Sequence, residues 1–236
     1  MVTIQAKIDE FLKKESEKKR VRSGCWSPSA LGRCYRYQYW NRADEPKTEL
    51  TDARGLRVFA CGNLFHDFVQ QFYPDAQKEV SFKEEDVAGR ADIVVGDEVI
   101  ELKSVHSYQF HHFRKAGYDI NKEKYANILQ LMTCAHFLGK PKGRLVFISK
   151  DDLCISEYGF YLNAWEPEIM KELSTLRRYW DIKELPPPEP RAYGGKEGKY
   201  CPYWSKCNEL GFKCPKEGPK KVSKAKKEVK NDTKNV

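Results

Sequence analysis

The sequence predicts a mixed α/β fold in which one β-sheet is flanked by helices. Five short segments of alternating or continuous apolar residues, rich in β-branched side chains, occupy the middle of the chain. Segments with apolar residues at helical spacing precede, interrupt and follow them. This order of helices, three strands, a helix, two strands and a final helix is typical of a mixed α/β core. A chain of 236 residues can bury that core and a small appended subdomain.

Three helices are expected before the first strand. Residues 3–20 carry apolar side chains on one face of a charged helix. Ser27 is expected to cap a second helix that has Pro28 in its first turn, and this aromatic helix is expected to run to Arg42. A third, longer helix is expected over Arg54–Tyr73.

Three consecutive strands are expected after these helices, at residues 78–83, 89–95 and 98–105. Gly96-Asp97 separates the last two strands, and this dipeptide composition is typical of a tight hairpin turn. We therefore expect the second and third strands to form an antiparallel hairpin.

The second half of the chain returns to helical spacing over Lys122–Leu138. Two further strands are expected at residues 144–150 and 153–162, and they are followed by a last helix over Glu166–Leu185. The three prolines at 186–188 end that helix, because proline cannot continue the backbone hydrogen-bond pattern.

The net charge of +8 is concentrated at the C-terminal end of the chain. Between Lys216 and Val236, eight lysines stand against three acidic residues, so this segment alone carries a charge of +5. A segment of this composition, with few apolar residues, is expected to be disordered. Its function is either to keep the protein soluble or to contact phosphate groups nonspecifically, and composition does not separate these two.

Membrane association is not expected from the sequence. No stretch approaches the roughly 20 consecutive apolar residues that a membrane-spanning helix needs. The first residues are charged and helical, unlike a short apolar secretion signal. We therefore expect a cytoplasmic protein, and a place at the nucleoid or at a viral replication site is also compatible with the sequence.

Charged residues cluster in the predicted hairpin. Glu101 and Lys103 are two residues apart on one strand, so their side chains leave the same face, and Asp92 lies across the turn close to Glu101. One interpretation is an ordinary salt bridge on a half-exposed sheet. The other is a site for Mg²⁺ or Mn²⁺, because both ions prefer carboxylate and carbonyl oxygens.

Asp92 followed by Glu101-Leu102-Lys103 resembles the D…(D/E)XK signature of the PD-(D/E)XK nuclease superfamily, in its RecB-like branch. The resemblance implies a restriction-endonuclease-like core, with a mixed sheet flanked by helices, that hydrolyses DNA with Mg²⁺ or Mn²⁺. It also implies that Asp92, Glu101 and the Leu102 carbonyl bind the metal, while Lys103 supports the attacking water.

Two helix-borne residues extend this resemblance. His66, in GNLFHDF, lies where the RecB-like branch has a metal-binding histidine. Gln130-Leu131 resembles the Q-L-x-x-Y motif beside the family's active centre, although Cys134 stands in place of the tyrosine. Gln130 is therefore a candidate catalytic residue. Glu79 could approach the same cavity, but such a residue is more often a surface charge on its strand.

A cysteine cluster lies near the C-terminal end, with Cys201, Cys207 and Cys214 in a C-x5-C-x6-C arrangement. Cysteines in an intracellular protein are not read as disulfides by default. Three thiolates can supply most of the ligands of a structural zinc or of an iron–sulfur cluster, and the spacing does not separate the two.

The N-terminal segment SPSALGRCYRYQYW resembles Cas4-type nucleases, in which one cysteine before the core and three after it bind a [4Fe–4S] cluster. The resemblance implies Cys34 as the first ligand, with Cys25 as the alternative. This chain has Gly198 where the family's close cysteine pair would begin, so structural zinc stays an alternative. The two chain ends would then form a helical and loop iron–sulfur subdomain.

These interpretations divide the chain into four segments. Residues 1–50 contribute helices to the iron–sulfur subdomain, and residues 51–186 form the nuclease core. Residues 187–215 carry the cysteine cluster, and residues 216–236 form the basic tail.

The resemblance implies an exonuclease that degrades single-stranded DNA or DNA with free ends, with 5′ to 3′ polarity as the family expectation. Its place would be in DNA recombination, repair, viral genome processing or CRISPR adaptation. It could act as a homo-oligomer or with recombination or CRISPR partner proteins. The alternative is a non-catalytic DNA-binding or adaptor subunit of a larger nuclease or recombination complex.

Aromatic and basic residues alternate in the segments CYRYQYWNR and SYQFHHFRK. One interpretation is that they bind single-stranded DNA by stacking on bases and contacting phosphates. The other is that they pack helices against the core.

Overall fold

A five-stranded sheet forms the centre of the computed structural model, which describes residues 2–18, 23–192 and 197–212. The strands lie side by side in chain order. The first three form an antiparallel meander, the third and fourth are parallel, and the fifth is antiparallel to the fourth. The strands are β1 (Gln77–Glu84), β2 (Val87–Val95), β3 (Glu98–Val105), β4 (Lys142–Ser149) and β5 (Ile155–Tyr161).

Eight α-helices surround this sheet in the described residues. A parallel pair of strands needs a long crossover, and three of the helices supply it between β3 and β4. None of the helices in the described part of the chain is long and apolar enough to span a bilayer. They are α1 (Ile4–Glu17), α2 (Tyr35–Arg42), α3 (Ala53–Gln70), α4 (Ser107–His112), α5 (Ile120–Glu123), α6 (Tyr125–Phe137), α7 (Leu162–Asp181) and α8 (Trp204–Glu209).

The two faces of the sheet pack against different helices. On one face, Val69 of α3 packs with Ile93, Ile100 and Leu102. On the other face, α6 and α7 cover a larger cluster that includes Leu131, Phe147 and Leu173. Because neighbouring residues of a strand point to opposite faces, the central strands β3 and β4 are apolar on both sides. The mixed sheet flanked by helices confirms the predicted α/β core, and the iron–sulfur subdomain stays a prediction.

The prediction that one continuous helix follows Ser27 is wrong. A short 3-10 turn covers Pro28–Ala30, and α2 begins only at Tyr35. Gly32 interrupts them with φ of +75°, and a Cβ there would lie 3.0 Å from the Ala126 backbone. The close approach of α6 therefore requires glycine and a turn at this point. The Ser27 side chain makes no capping hydrogen bond to this 3-10 turn.

Other helix boundaries also differ from the expectation, and the last helix ends at Asp181, four residues before the predicted Leu185 and ahead of the three prolines. The predicted helix at 122–138 is two helices, because Lys124 has a non-helical backbone between α5 and α6. The third helix ends at Gln70 rather than Tyr73. The last helix begins four residues early, at Leu162, and carries Pro167 inside it. Trp165, in its first turn, contacts the rings of Tyr125 and Phe160, which holds that turn on the core. The predicted strands match β1–β5 to within two residues at each end.

The N-terminal and C-terminal segments meet in a separate small cluster. Trp40 of α2 packs with Tyr203 and Cys207, and Leu185 lies against them. Cys214 and the basic tail at 216–236 lie outside the described residues.

Candidate metal centre

The candidate centre lies where β2 and β3 separate. Their ladder covers only three residue pairs and ends at Ile93 and Ile100. Beyond it, the Leu102 backbone N–H donates to the Asp92 carboxylate at 2.8 Å, in place of a carbonyl of the neighbouring strand. Asp92 and Glu101 are thus the next residues after the ladder, as the hairpin register predicted.

Glu101 is buried inside the gap between β2 and β3, with 1% of its surface exposed. Burial raises the pKa of its carboxyl to about 7, and the negative charges of Asp92 and Glu79 act in the same direction, whereas Lys103 opposes them. Its Oε2 atom has no hydrogen-bond partner among the described residues. A buried carboxylate oxygen without a partner is costly, and a bound cation would remove that cost. Glu101 therefore fits a metal ligand.

Lys103 and Gln130 hold the other oxygen of Glu101. The Lys103 ammonium donates to Glu101 Oε1 at 2.5 Å and to Gln130 Oε1 at 3.2 Å. The Gln130 amide donates to the same Glu101 oxygen at 2.5 Å. Gln130 comes from α6, and Cys134, one turn further along that helix, is fully buried. Three of the four predicted catalytic residues, Glu101, Lys103 and Gln130, thus form one hydrogen-bonded group.

His66 reaches the centre from α3. Its Nδ1 lies 3.6 Å from Asp92 Oδ2. Ligand atoms of His66, Glu79 and Asp92 all lie within 4.8 Å of one another, and they form the one such group of histidine, cysteine or acidic residues in the described chain. Carboxylate oxygens and imidazole nitrogen are ligands of Mg²⁺, Mn²⁺ and related divalent ions.

The structure brings most of the predicted metal-binding and catalytic residues together. Asp92, Glu101, Lys103, Gln130 and His66 are brought together by the contacts above. Leu102 contributes its backbone N–H to Asp92, and its side chain is buried in the core on the α3 face. Its carbonyl as a metal ligand remains a prediction.

Sequence reasoning missed Gln70 and gave Glu79 too little weight. The Gln70 amide donates to Glu79 Oε1 at 2.8 Å and to the Asp92 carbonyl at 3.2 Å. Gln70 is four residues after His66 on one helix, so the two side chains share a face. That spacing could have identified Gln70 as a candidate site residue from the sequence. Nothing in the sequence alone indicated that Glu79 would lie opposite Asp92.

Glu101 predicts a pH dependence of stability in the metal-free protein. Its folded pKa of about 7 lies above its ordinary value of 4.5, so the folded chain binds more protons between these pH values. The free energy of unfolding should therefore fall as pH rises through this window, by up to about 3 kcal/mol for this residue. We expect Glu101→Gln to remove that fall.

Urea unfolding in EDTA at pH 5 and pH 8 checks this prediction. The advantage of Glu101→Gln over the wild type should grow with pH. Glu84→Gln is the matched control, because Glu84 is an exposed residue of β1. Parallel stabilities of wild type and Glu101→Gln at both pH values would contradict the prediction.

Three of the four predicted cluster cysteines line a single pocket. Cys34 precedes α2, and Cys201 and Cys207 come from the C-terminal segment. Burial raises the pKa of the Cys34 thiol, and it raises the pKa of Cys201 to about 12. Cys25 is buried but is absent from the lining of this pocket, and its thiol donates to the Ser23 carbonyl. Cys214, the fourth predicted ligand, lies outside the described residues.

Glu197 is a further residue at this pocket that the sequence did not reveal. It is 1% exposed and accepts the Cys34 backbone N–H at 3.0 Å and the Arg33 guanidinium at 3.1 Å. It also accepts the Arg191 backbone N–H at 3.1 Å. The carboxylate therefore ties the segment before α2 to the segment after α7.

Two aromatic residues of α2 pack against rings from the C-terminal half of the chain. The Trp40 ring lies 5.4 Å from that of Tyr203, and the Tyr39 ring lies 5.1 Å from that of Trp180. The residues that follow β3 are different in this respect, because Tyr108 of α4 is 76% exposed.

Comparison with known proteins gave no matching family model and no matching curated protein. Among solved structures, the protein named SSO0001 superposes with a TM-score of 0.59 at 18% identity, over 87% of this chain and 96% of its own. An alkaline exonuclease from Laribacter hongkongensis, LHK-Exo, superposes with a TM-score of 0.50 at 16% identity. Its complex with dAMP gives 0.52 at 18%. Both LHK-Exo alignments cover 69% of this chain and 90% of that one.

These similarities define the class of fold. The chain has a mixed five-stranded sheet flanked by helices. It shares that fold with an alkaline exonuclease over about two thirds of its length.

Proposed function

We propose that this protein is a metal-dependent DNA nuclease of the PD-(D/E)XK type, acting as an exonuclease on single-stranded DNA. One observation carries the proposal: a buried Glu101 carboxylate has one oxygen held by Lys103 and Gln130 and the other without a partner in the described chain. An ordinary surface salt bridge needs neither the burial nor the third residue. The fold shared with an alkaline exonuclease supports the same class.

Mg²⁺ or Mn²⁺ would be held by His66, Asp92, Glu101 and the Leu102 carbonyl. When bound, the ion would supply Lewis-acid activation of the phosphodiester and of a water molecule. Lys103 places a positive charge beside Glu101, where it can orient the attacking water and stabilise developing negative charge. Gln130 accepts from Lys103 and so fixes the position of that ammonium.

Single-stranded DNA would approach along α4, which directly follows the catalytic strand. His111 and Arg114 are exposed there, together with Tyr108. Stacking on an exposed aromatic ring and phosphate contacts from basic residues hold single strands without reading sequence. The 5′ to 3′ polarity remains a family expectation, as do the homo-oligomer and the recombination or CRISPR partner proteins.

A [4Fe–4S] cluster bound by Cys34, Cys201, Cys207 and Cys214 is part of the proposal, in the manner of Cas4-type nucleases. The shared pocket of the first three cysteines supports it. Structural zinc bound by the same thiolates is the alternative, because zinc and the cluster both take four thiolate ligands.

Degradation of end-labelled single-stranded DNA tests the nuclease proposal. We expect anaerobically purified protein to release short labelled products with Mn²⁺ or Mg²⁺ and none in EDTA. Substrates labelled at the 5′ or the 3′ end give the polarity, and a circular single strand tests the need for an end. Asp92→Asn should bind DNA but release no product.

A non-catalytic DNA-binding or adaptor role is the alternative. It would be supported by wild-type protein that binds the strand but cuts neither linear nor circular DNA in any divalent metal.

A further inference from the structure

Arg36, in the first turn of α2, is a buried cation beside the cysteine pocket. Only 3% of its surface is exposed, and it lines the pocket together with Cys34, Cys201 and Cys207. A guanidinium group keeps its charge inside a protein, and burying a charge is costly unless an opposite charge compensates for it. The surroundings of Arg36 therefore indicate whether such a charge is already present.

The contacts of Arg36 in the described chain are to a carbonyl, to aromatic rings and to a sulfur. Its Nε donates to the Pro186 carbonyl at 2.7 Å, and its guanidinium carbon lies 3.9 Å from the centre of the Phe212 ring. Its Nη1 donates to Cys207 Sγ at 3.6 Å. A carbonyl dipole and an aromatic ring attract a cation, but neither carries a negative charge that would neutralise it.

The buried carboxylates of this region are bound by other arginines. Glu197 accepts from Arg33 at 3.1 Å, and Glu172 accepts from Arg191 at 2.5 Å. Within the described ranges, Arg36 forms no ion pair with a carboxylate. A buried charge without an opposite charge is strongly unfavourable. The atom beside its guanidinium is instead the sulfur of a predicted cluster ligand.

We propose that Arg36 is the counter-cation of a cysteine-bound [4Fe–4S] cluster, and that its hydrogen bond to Cys207 Sγ raises the reduction potential of that cluster. This inference rests on the cluster that is part of the proposed function. Four thiolate ligands give the whole centre a net negative charge, and reduction by one electron makes it more negative. A fixed positive charge and a hydrogen-bond donor at one sulfur therefore stabilise the reduced state more than the oxidised state. Arg36 acts through Cys207 and is a positioning residue, not a ligand.

The geometry also explains why this cation is an arginine. The planar guanidinium donates from Nη1 to the Cys207 sulfur and from Nε to the Pro186 carbonyl at the same time. Pro186 follows α7 and Cys207 belongs to α8, so one side chain of α2 holds both segments in place. A lysine ammonium carries the same charge but lacks this fixed fork of donors.

A potentiometric titration of the cluster tests the inference without reference to nuclease activity. Anaerobically purified full-length protein is reduced stepwise with dithionite and redox mediators, and the reduced cluster is measured by electron paramagnetic resonance. We expect Arg36→Gln to retain its iron and to shift the one-electron equilibrium about tenfold or more toward the oxidised cluster, a fall of roughly 59 mV or more in midpoint potential. Arg178→Gln, the same change at an exposed arginine of α7 that does not line the pocket, should keep the wild-type midpoint.

A second variant keeps the test decisive if Arg36→Gln loses its cluster. Arg36→Lys retains the charge, and it should keep about four iron atoms per chain and have a midpoint between those of the wild type and Arg36→Gln. Iron that is kept in Arg36→Lys but lost from Arg36→Gln would support the counter-cation role, because the two variants differ in charge. Loss of iron from both variants, with an equal fall in Tm, would assign Arg36 to the packing of α2 and overturn the inference.

Two other results would overturn the inference in distinguishable ways. An intact cluster with the wild-type midpoint in Arg36→Gln would remove the role of Arg36 and leave the proposed cluster in place. Wild-type protein without iron or acid-labile sulfide would overturn the cluster and this inference together. Release of labelled DNA products by that same preparation would still leave the proposed nuclease function standing.

Discussion

Replacing Lys103 by alanine is expected to slow DNA hydrolysis by on the order of 10²- to 10³-fold, the loss typical of removing one charge that stabilises a transition state. Lys103 Nζ is 2.5 Å from Glu101 Oε1, and its charge is the main influence that opposes the burial of that carboxylate. Without it, the pKa of Glu101 rises further above its ordinary value, so Glu101 is protonated over more of the neutral range. The variant therefore loses both a charge near the phosphodiester and part of its metal affinity.

This double role separates Lys103 from a merely structural lysine. The residual activity of Lys103→Ala should have its pH midpoint shifted upward, because Glu101 must lose a proton to bind metal. Initial rates on end-labelled single-stranded DNA between pH 6 and pH 9, at saturating Mn²⁺, measure both effects. Lys83→Ala, at an exposed residue of β1, is the matched control and should match the wild type. Activity within threefold of wild type in Lys103→Ala would remove this residue from the proposed mechanism.

The strands and the acidic hairpin were predictable because they depend on local patterns. Alternating apolar residues and a Gly96-Asp97 turn fix the register, and the register places Asp92 near Glu101. The side-chain period of two then places Lys103 beside Glu101. No long-range contact had to be known for these three residues to be brought together.

The features that could not be predicted from the sequence depend on tertiary contacts. The second helix breaks at Gly32 because α6 passes close to that backbone, and α6 is nearly a hundred residues further along the chain. Glu197 reaches Cys34 across a separation of 163 residues. Glu79 gained importance only when β1 was placed against β2. Single-sequence patterns do not carry such pairings, so the ligands contributed by neighbouring elements had to come from the structure.

Iron content should distinguish the two candidate N-terminal ligands of the cluster. Cys34→Ser is expected to lose the cluster, whereas Cys25→Ser is expected to retain it. Both cysteines are buried to the same degree, with 8% of the surface exposed. Only Cys34 lines the pocket shared with Cys201 and Cys207. The two substitutions are therefore matched in burial and chemistry and differ in their position relative to the pocket.

The measurement is iron and acid-labile sulfide per chain, with the visible absorption spectrum, on anaerobically purified proteins. Wild type and Cys25→Ser should contain about four iron atoms per chain, and Cys34→Ser should contain far fewer. One zinc ion per chain with no iron would instead establish the structural zinc alternative. Retention of iron by Cys34→Ser with its loss from Cys25→Ser would reverse the assignment.

Loss of the cluster should also destabilise the protein, because its ligands come from both chain ends. Cys34 and Cys201 are separated by more than 160 residues, and closing such a loop costs a few kcal/mol of chain entropy that metal binding offsets. Burial raises the pKa of both thiols, so their thiolate forms would depend on the positive charge of a bound cluster. We expect the Tm of Cys34→Ser to fall by roughly 10 °C, as a loss of about 3 kcal/mol implies for a chain of this size. Differential scanning calorimetry under anaerobic conditions should show no comparable change in Cys25→Ser, and an equal fall in both variants would assign the effect to packing instead of to the cluster.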